Sequence, residues 1–216
     1  MARVARSFFP VTALGPGRRL GVWFQGCPIA CPGCMSRDTW TADGGREVPD
    51  AWFGDVWAAA STRGATGLTV SGGEPTEQPE ALLALLRAVR SAAVPPGADP
   101  ADVLVYTGRE LEDFEALVPG GLGLVDAVIT GPFRVAEPTT LIWRGSANQR
   151  LHLTSDLGRQ RYARFMTHRP DRPPIQVVVD EHTVSYVGVP RTGDLVRMEQ
   201  SVRTAGVKLG RPSWRP

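Results

Sequence analysis

The chain has 216 residues, a formal net charge of +2 and 42% hydrophobic residues; that length suits one domain with a small appendage, and that apolar share is enough to bury a core. A charge so close to balance gives no electrostatic case for nucleic acid or for an acidic lipid surface. The three cysteines are packed between residues 27 and 34, which is no disulfide framework and fits a reducing compartment where thiols are free to hold metal.

The opening stretch "MARVARSFFPVTALG" has two arginines and no long apolar run. Nowhere is there a stretch of about 18 apolar residues, so the expectation is a cytoplasmic chain with neither a secretion signal nor a membrane span. "LGVWFQ" (Leu20 to Gln25) reads as a buried strand that runs into the cysteine loop. Trp52, Phe53 and Trp57 read as the core face of a helix. "GLTVSGGEP" is a second strand that ends in a glycine-rich turn, and "TEQPEALLALLRAVRSA" is a helix, with Pro79 in its first turn and Leu82, Leu83, Leu86 and Val89 at helical spacing. "ADVLVYTG" and "LVDAVITGPF" are two further strands with the short helix "RELEDFEALV" between them.

Strands alternating with helices predict parallel β-α units, which place active sites at the carboxyl ends of their strands. Those ends carry the cysteine loop, Ser71-Gly72-Gly73-Glu74, Tyr106-Thr107-Gly108 and Thr130-Gly131. After residue 155 the pattern changes. "RQRYARFMTHRPDRPP" reads as a basic, proline-broken linker whose arginines form a solvated face. "IQVVVDEHTVSYVGVP" reads as a hairpin with His182 exposed at its turn, "TGDLVRMEQSVRTAG" as a helix closed by Gly206, and "RPSWRP" as a loose tail. The expected division is a core of residues 1–155 and an extension of residues 156–216.

The cysteines Cys27, Cys31 and Cys34 have the spacing C-x3-C-x2-C, in a loop stiffened by Pro28, Pro32 and Gly33. Thiolates select iron–sulfur clusters, zinc or Cu(I). Zinc with a histidine as fourth ligand stays open, although His152, His168 and His182 all lie far downstream. The other reading is a four-iron cluster with three irons held by the protein and the fourth open to a small molecule. Gly72 and Gly73 let backbone approach a ligand, and Glu74 offers a carboxylate to an ammonium group. "WRGSANQR" (Trp143 to Arg150) reads equally as a structural turn capped by Ser146 and Asn148 or as a lining of the substrate opening.

"GPGRRLGVWFQGCPIACPGCMSRDTW", "TVSGGEP", "VLVYTGRELEDF", "VDAVITGPF" and "LIWRGSANQRLHLT" follow one another between about residues 7 and 155. In that order they resemble the radical S-adenosylmethionine (SAM) superfamily, and within it the anaerobic ribonucleotide reductase activating enzymes and related glycyl-radical activases. The resemblance implies an α/β fold, a partial, open β/α barrel. It implies a [4Fe-4S] cluster on Cys27, Cys31 and Cys34, SAM with its amino group at Gly72, Gly73 and Glu74, and adenine beside the backbone near Gly33 and Met35. Tyr106, Thr107 and Gly108 would face the ribose or methionine.

The implied activity is reductive cleavage of SAM to a 5′-deoxyadenosyl radical that takes a hydrogen atom from a protein or peptide substrate. An external electron donor such as a flavodoxin or ferredoxin would be needed, and no acid–base residue is required for radical generation. Two departures stand out: Gly33 occupies the place where many relatives have an aromatic residue, and the chain continues for about 60 residues past the segment where small activases end. Three functions therefore remain open: an activase for a glycyl-radical partner, a radical SAM enzyme with another peptide or small-molecule substrate, and a non-catalytic iron–sulfur or zinc regulator. The extension is expected to engage substrate, with a structural cover as the competing view.

Overall fold

The computed structural model describes every residue except Pro95, Pro96, Ala98, Arg211 and Pro216, so part of the expected loose tail lies outside the described residues. In chain order the elements are β1 (Ala2–Val11), β2 (Arg19–Phe24), β3 (Arg46–Val48), α1 (Ala51–Ser61), β4 (Gly67–Gly72), α2 (Pro79–Ser91), β5 (Asp102–Tyr106) and α3 (Leu111–Leu117). Then follow β6 (Ala127–Thr130), β7 (Arg150–Leu153), α4 (Asp156–Tyr162), β8 (Ile175–Val179), β9 (Val184–Gly188) and α5 (Asp194–Thr204).

Seven strands form one mixed sheet in the order β3-β1-β2-β4-β5-β6-β7. Its middle, β2-β4-β5-β6, is parallel, and β1, β3 and β7 join antiparallel. The edges β3 and β7 do not pair with each other, so the sheet stays open rather than closing into a barrel. β8 and β9 form a separate antiparallel hairpin.

Strand alternation sorts the two faces. Leu20, Val22 and Phe24 of β2, Leu68 and Val70 of β4, Val103 and Val105 of β5 and Val128 of β6 point to one side. There they pack under Phe53 and Trp57 of α1, Leu82, Leu85, Leu86 and Val89 of α2, and Phe114 of α3. The four α2 positions recur at three- and four-residue intervals, which is why this segment is a helix that buries one stripe; each full burial is worth about 1.5–3 kcal/mol. The opposite face is built differently. Leu104, Ile129 and Leu151 meet Trp143 and Tyr162 on one side of it, and Val11, Leu14 and Trp23 meet Val187 of β9 on the other. Tyr106 packs against both groups.

The segment expected to be a linker begins as α4, capped by the Ser155 hydroxyl accepting from the Gly158 amide. α4 lies against the main sheet. Tyr162 is fully buried and its hydroxyl donates to the Asp102 carboxylate. Arg161, expected on a solvated face, pairs with the same carboxylate at 2.7 Å. Asp102 also pairs with Arg19 at 2.7 Å, with both side chains fully buried. The Arg19 guanidinium further donates to the Thr69 hydroxyl at 2.6 Å and the Leu68 carbonyl at 2.6 Å. This network ties the amino ends of β2, β4 and β5 to α4, at the end of the sheet remote from the cysteine loop.

A cut after Thr154 removes both Arg161 and Tyr162 from Asp102 and is expected to leave an aggregating protein, because buried charge loses its partners. A cut after Arg172 keeps them, removes β8, β9 and α5, and is expected to elute as a soluble, discrete band rather than in the void volume. Size exclusion of the two truncations checks this.

Candidate functional site

The cysteine loop is held from both sides. On one side the segment after it returns to β2: the Gly26 amide donates to the Thr39 carbonyl at 2.8 Å, the Cys27 amide to the Trp40 carbonyl at 2.9 Å, and the Gln25 side chain to the Thr41 carbonyl at 2.7 Å. On the other side the Gly-Gly-Glu turn that ends β4 is bonded onto it. Gly73 donates its amide to the Phe24 carbonyl at 2.8 Å and Glu74 to the Gly26 carbonyl at 2.8 Å. These contacts leave no room for side chains. A Cβ on Gly73 would lie 2.1 Å from the Gly26 oxygen, and Gly72 has φ of +118° with Phe24 backbone 2.4 Å from where its Cβ would be. The glycines are thus fixed by the approach of one loop to the other.

Glu74 is 1% exposed and its carboxylate is well used within the chain. One oxygen accepts from the Thr76 amide at 3.1 Å, the Thr76 hydroxyl at 2.9 Å and the Thr107 hydroxyl at 2.8 Å; the other accepts from the Gly108 amide at 2.7 Å. A carboxylate has about four lone-pair sites split between its oxygens, so the oxygen facing Gly108 keeps one for a further donor. Sequence reasoning named Glu74 but missed Thr76 as its partner; the signal was the acid two residues before a threonine at a helix start.

Cys27, Gly33, Cys31, Cys34, Met35, Gly72, Gly73 and Glu74 all line one cavity of about 1750 Å³. The three thiols are half-buried. Burial pushes all three above the ordinary thiol value, against the opposing pull of backbone N–H groups directed at the sulfurs; the Ser36 amide is 3.4 Å from the Cys34 sulfur. Gly33 has φ of +79° and faces Val135 and Phe133, 3.3 and 3.4 Å from where its Cβ would be. No His, Asp or Glu among the described residues joins the thiols in a group placed to hold one metal ion. His152 bonds instead to the Thr130 hydroxyl at 3.0 Å, and His182 sits exposed at the hairpin turn.

Three soft thiols on one wall, amide hydrogens aimed at sulfur and a wide adjoining space fit a cluster that is bound through three corners and open at the fourth. "WRGSANQR" makes the contacts of a capped turn and also lines the cavity. The Ser146 hydroxyl accepts from the Arg134 amide at 3.0 Å, and the Asn148 amide donates to the Pro132 carbonyl at 2.8 Å, while Arg144, Gly145, Ala147 and Gln149 line the cavity.

A family model described as a 4Fe-4S single cluster domain matches residues 13–152. The anaerobic ribonucleoside-triphosphate reductase-activating protein of Escherichia coli (strain K12) is 32% identical over 153 residues, covering 67% of this chain and 95% of the relative. The chain belongs to this family of activating proteins. The proteins of the same description from Salmonella typhi and Enterobacteria phage T4 are 31% and 33% identical, over 95% and 88% of their own lengths. A crystal structure of QueE from Escherichia coli superposes with a TM-score of 0.40 at 17% identity, over 62% of this chain and 73% of that one. As an activating protein the chain is a radical SAM enzyme, and its cofactors are a four-iron cluster and S-adenosylmethionine. The residues after 152 lie outside the family match.

Replacing Glu74 by Ala leaves the Thr76 amide and hydroxyl, the Thr107 hydroxyl and the Gly108 amide without their acceptor. Each orphaned group costs about 1–3 kcal/mol. Glu74→Ala is therefore expected to lower the midpoint of denaturant unfolding and to weaken SAM binding about ten- to hundredfold on cluster-loaded protein. Isothermal titration with SAM, beside a urea melt, checks both; an unchanged dissociation constant removes Glu74 from the SAM site.

Proposed function

We propose that the chain is the activase of an anaerobic ribonucleotide reductase: it takes a hydrogen atom from a glycine of that protein and leaves a glycyl radical. When bound, the cluster and SAM together supply the 5′-deoxyadenosyl radical that removes the hydrogen. Cys27, Cys31 and Cys34 hold the cluster in this reading. Gly72, Gly73 and Glu74 position the amino group of SAM, and the backbone around Gly33 and Met35 lies along the adenine. The protein's part is ligation, orientation and exclusion of water. The single electron comes from an external donor of the flavodoxin or ferredoxin kind.

The observation that carries this reading is the direct backbone bonding of the Gly-Gly-Glu turn to the root of the cysteine loop, through Phe24 and Gly26. It presents thiols and Glu74 to one space, in a chain that spans nearly the whole length of its activating relatives. A second reading, action on another peptide or on a small molecule, draws support from the hairpin and tail that line the same space beyond the family match.

Anaerobic incubation of the cluster-loaded protein with SAM, dithionite and the anaerobic reductase of the same organism tests the first reading. The expected result is a glycyl-radical doublet in the electron paramagnetic resonance spectrum of the reductase. SAM turnover with no such signal, from a reductase that a known activase does activate, overturns it and leaves the second.

A further inference from the structure

The cavity has cations without an ion-pair partner among the described residues. Among its cations Arg6 is neutralised, by Asp38 at 2.5 Å. Arg144, Arg169, Arg191 and Lys208 also line it, and among the described residues none of these four has a carboxylate within ion-pair distance. Arg144 is the most telling because it is 7% exposed. A buried guanidinium is costly without an anion. Its Nη2 donates to the Phe165 and Met166 carbonyls at 2.9 and 2.8 Å and its Nε more weakly to the Ile142 carbonyl at 3.4 Å. Those bonds leave Nη1 without a protein acceptor among the described residues.

Residues 140–144 run beside 165–169. The Ile142 amide donates to the His168 carbonyl at 3.0 Å, and Arg169 donates to the Thr140 hydroxyl at 2.8 Å. That pairing holds Arg169 on the same wall as Arg144. The two guanidiniums are close enough that Arg169, after burial, helps to hold Arg144 below the ordinary arginine value.

The acids on the cavity are mostly engaged. Glu74 has its four donors, Glu199 pairs with Arg203 and Arg215 at 3.0 and 2.7 Å, and Asp180 accepts from the amides of His182 and Thr183 and from the Thr183 hydroxyl. Glu181 stands on the exposed hairpin turn. The "LIWRG" loop, the segment after α4 and the tail therefore bring to one wall cations with no ion-pair partner among the described residues, while the carboxylates of Asp180 and Glu181 keep their charge on the hairpin.

We infer that this wall is an anion site and that it takes the carboxylates of an acidic, extended segment of the polypeptide substrate. The inference rests on the activase reading for the identity of that polypeptide. A polymer is favoured over a free small anion on size. The cavity of about 1750 Å³ exceeds the ~300–1,000 Å³ usual for small-molecule sites. Its four cations without an ion-pair partner also come from four separate stretches of chain, before β7, after α4, between β9 and α5, and after α5.

The test uses two probes on cluster-loaded protein: the organism's anaerobic reductase and a fluorescein-labelled deca-glutamate peptide. The variant is Arg169→Glu with Lys208→Glu. The control is Arg87→Glu with Arg159→Glu, which makes the same change in net charge at exposed positions away from the cavity. Wild type and control are expected to bind both probes in 50 mM salt and to weaken about tenfold or more in 300 mM salt, as screened charge pairs do. The cavity variant is expected to bind both about tenfold more weakly at low salt and to lose the salt dependence.

Equal affinity of variant and control for both probes overturns the inference. So does a melting-temperature rise with millimolar inorganic phosphate that the cavity variant loses while its affinity for the reductase stays at the wild-type level, since the ligand is then a small anion. If wild type binds the peptide in the expected way but not the reductase, the anion site stands and the activase reading is the one that fails.

Discussion

Cys31→Ala, like Cys27→Ala and Cys34→Ala, is expected to bring the formation of 5′-deoxyadenosine from SAM down to background. With one thiol of three removed, no other His, Cys, Asp or Glu among the described residues is grouped with the remaining two to replace it. Stability is expected to change by less than about 1 kcal/mol. The thiols are half-buried, and the loop is fixed by backbone bonds through Gly26, Cys27 and Gly73 that a Cβ-to-methyl change at Cys31 does not touch. Iron analysis, 5′-deoxyadenosine quantified by mass spectrometry and a thermal melt of the cluster-free proteins separate the two effects. Undiminished 5′-deoxyadenosine from any of the three variants removes that cysteine from the site.

Asp102→Ala carries the largest expected loss of stability. It leaves Arg19, fully buried, without its counter-charge, and strips Arg161 and Tyr162 of their shared acceptor. Breaking a buried pair from one side costs about 3–5 kcal/mol, against a total stability of about 5–15 kcal/mol for a domain. Burial alone disfavours the charged Asp102, but the Arg19 guanidinium and hydrogen bonds from Arg19, Tyr162 and Arg161 hold its carboxyl below the ordinary value of 3.8. A group depressed in the folded state stabilises fully above its unfolded value. The contribution is therefore complete above pH 3.8 and is lost as pH falls through the folded value below it. Urea melts should show a wide gap between wild type and Asp102→Ala at pH 7 that narrows toward pH 2. A constant gap across that range contradicts the assignment.

The parallel heart of the fold was legible because each strand there is a short apolar run closed by a turn signal, and α2 shows a leucine stripe between Pro79 and Val89. β1 was not read. It mixes arginines, phenylalanines and a proline over ten residues, so alternation is blurred, and only pairing with both β2 and β3 reveals it. The segment holding α4 looked like a basic linker because its meaning is long-range: Arg161 and Tyr162 are explained by Asp102, about sixty residues earlier.

The candidate site was legible in its cysteines and glycines, whose spacing is local. Its support was not. The grip of Thr107 and Gly108 on Glu74 joins residues more than thirty positions apart, and Arg144 acquires its surroundings only when the segment after α4 folds back over it.

The central claim is hydrogen-atom transfer from a glycine of a partner protein to the 5′-deoxyadenosyl group. Anaerobic reductase labelled with [2,2-²H₂]glycine tests it most directly, incubated with the cluster-loaded protein, SAM and a reductant, with the 5′-deoxyadenosine then weighed by mass spectrometry. The predicted result is singly deuterated 5′-deoxyadenosine formed with the glycyl radical and absent when unlabelled reductase is used; 5′-deoxyadenosine that carries no deuterium while the reductase is present and intact would contradict the account.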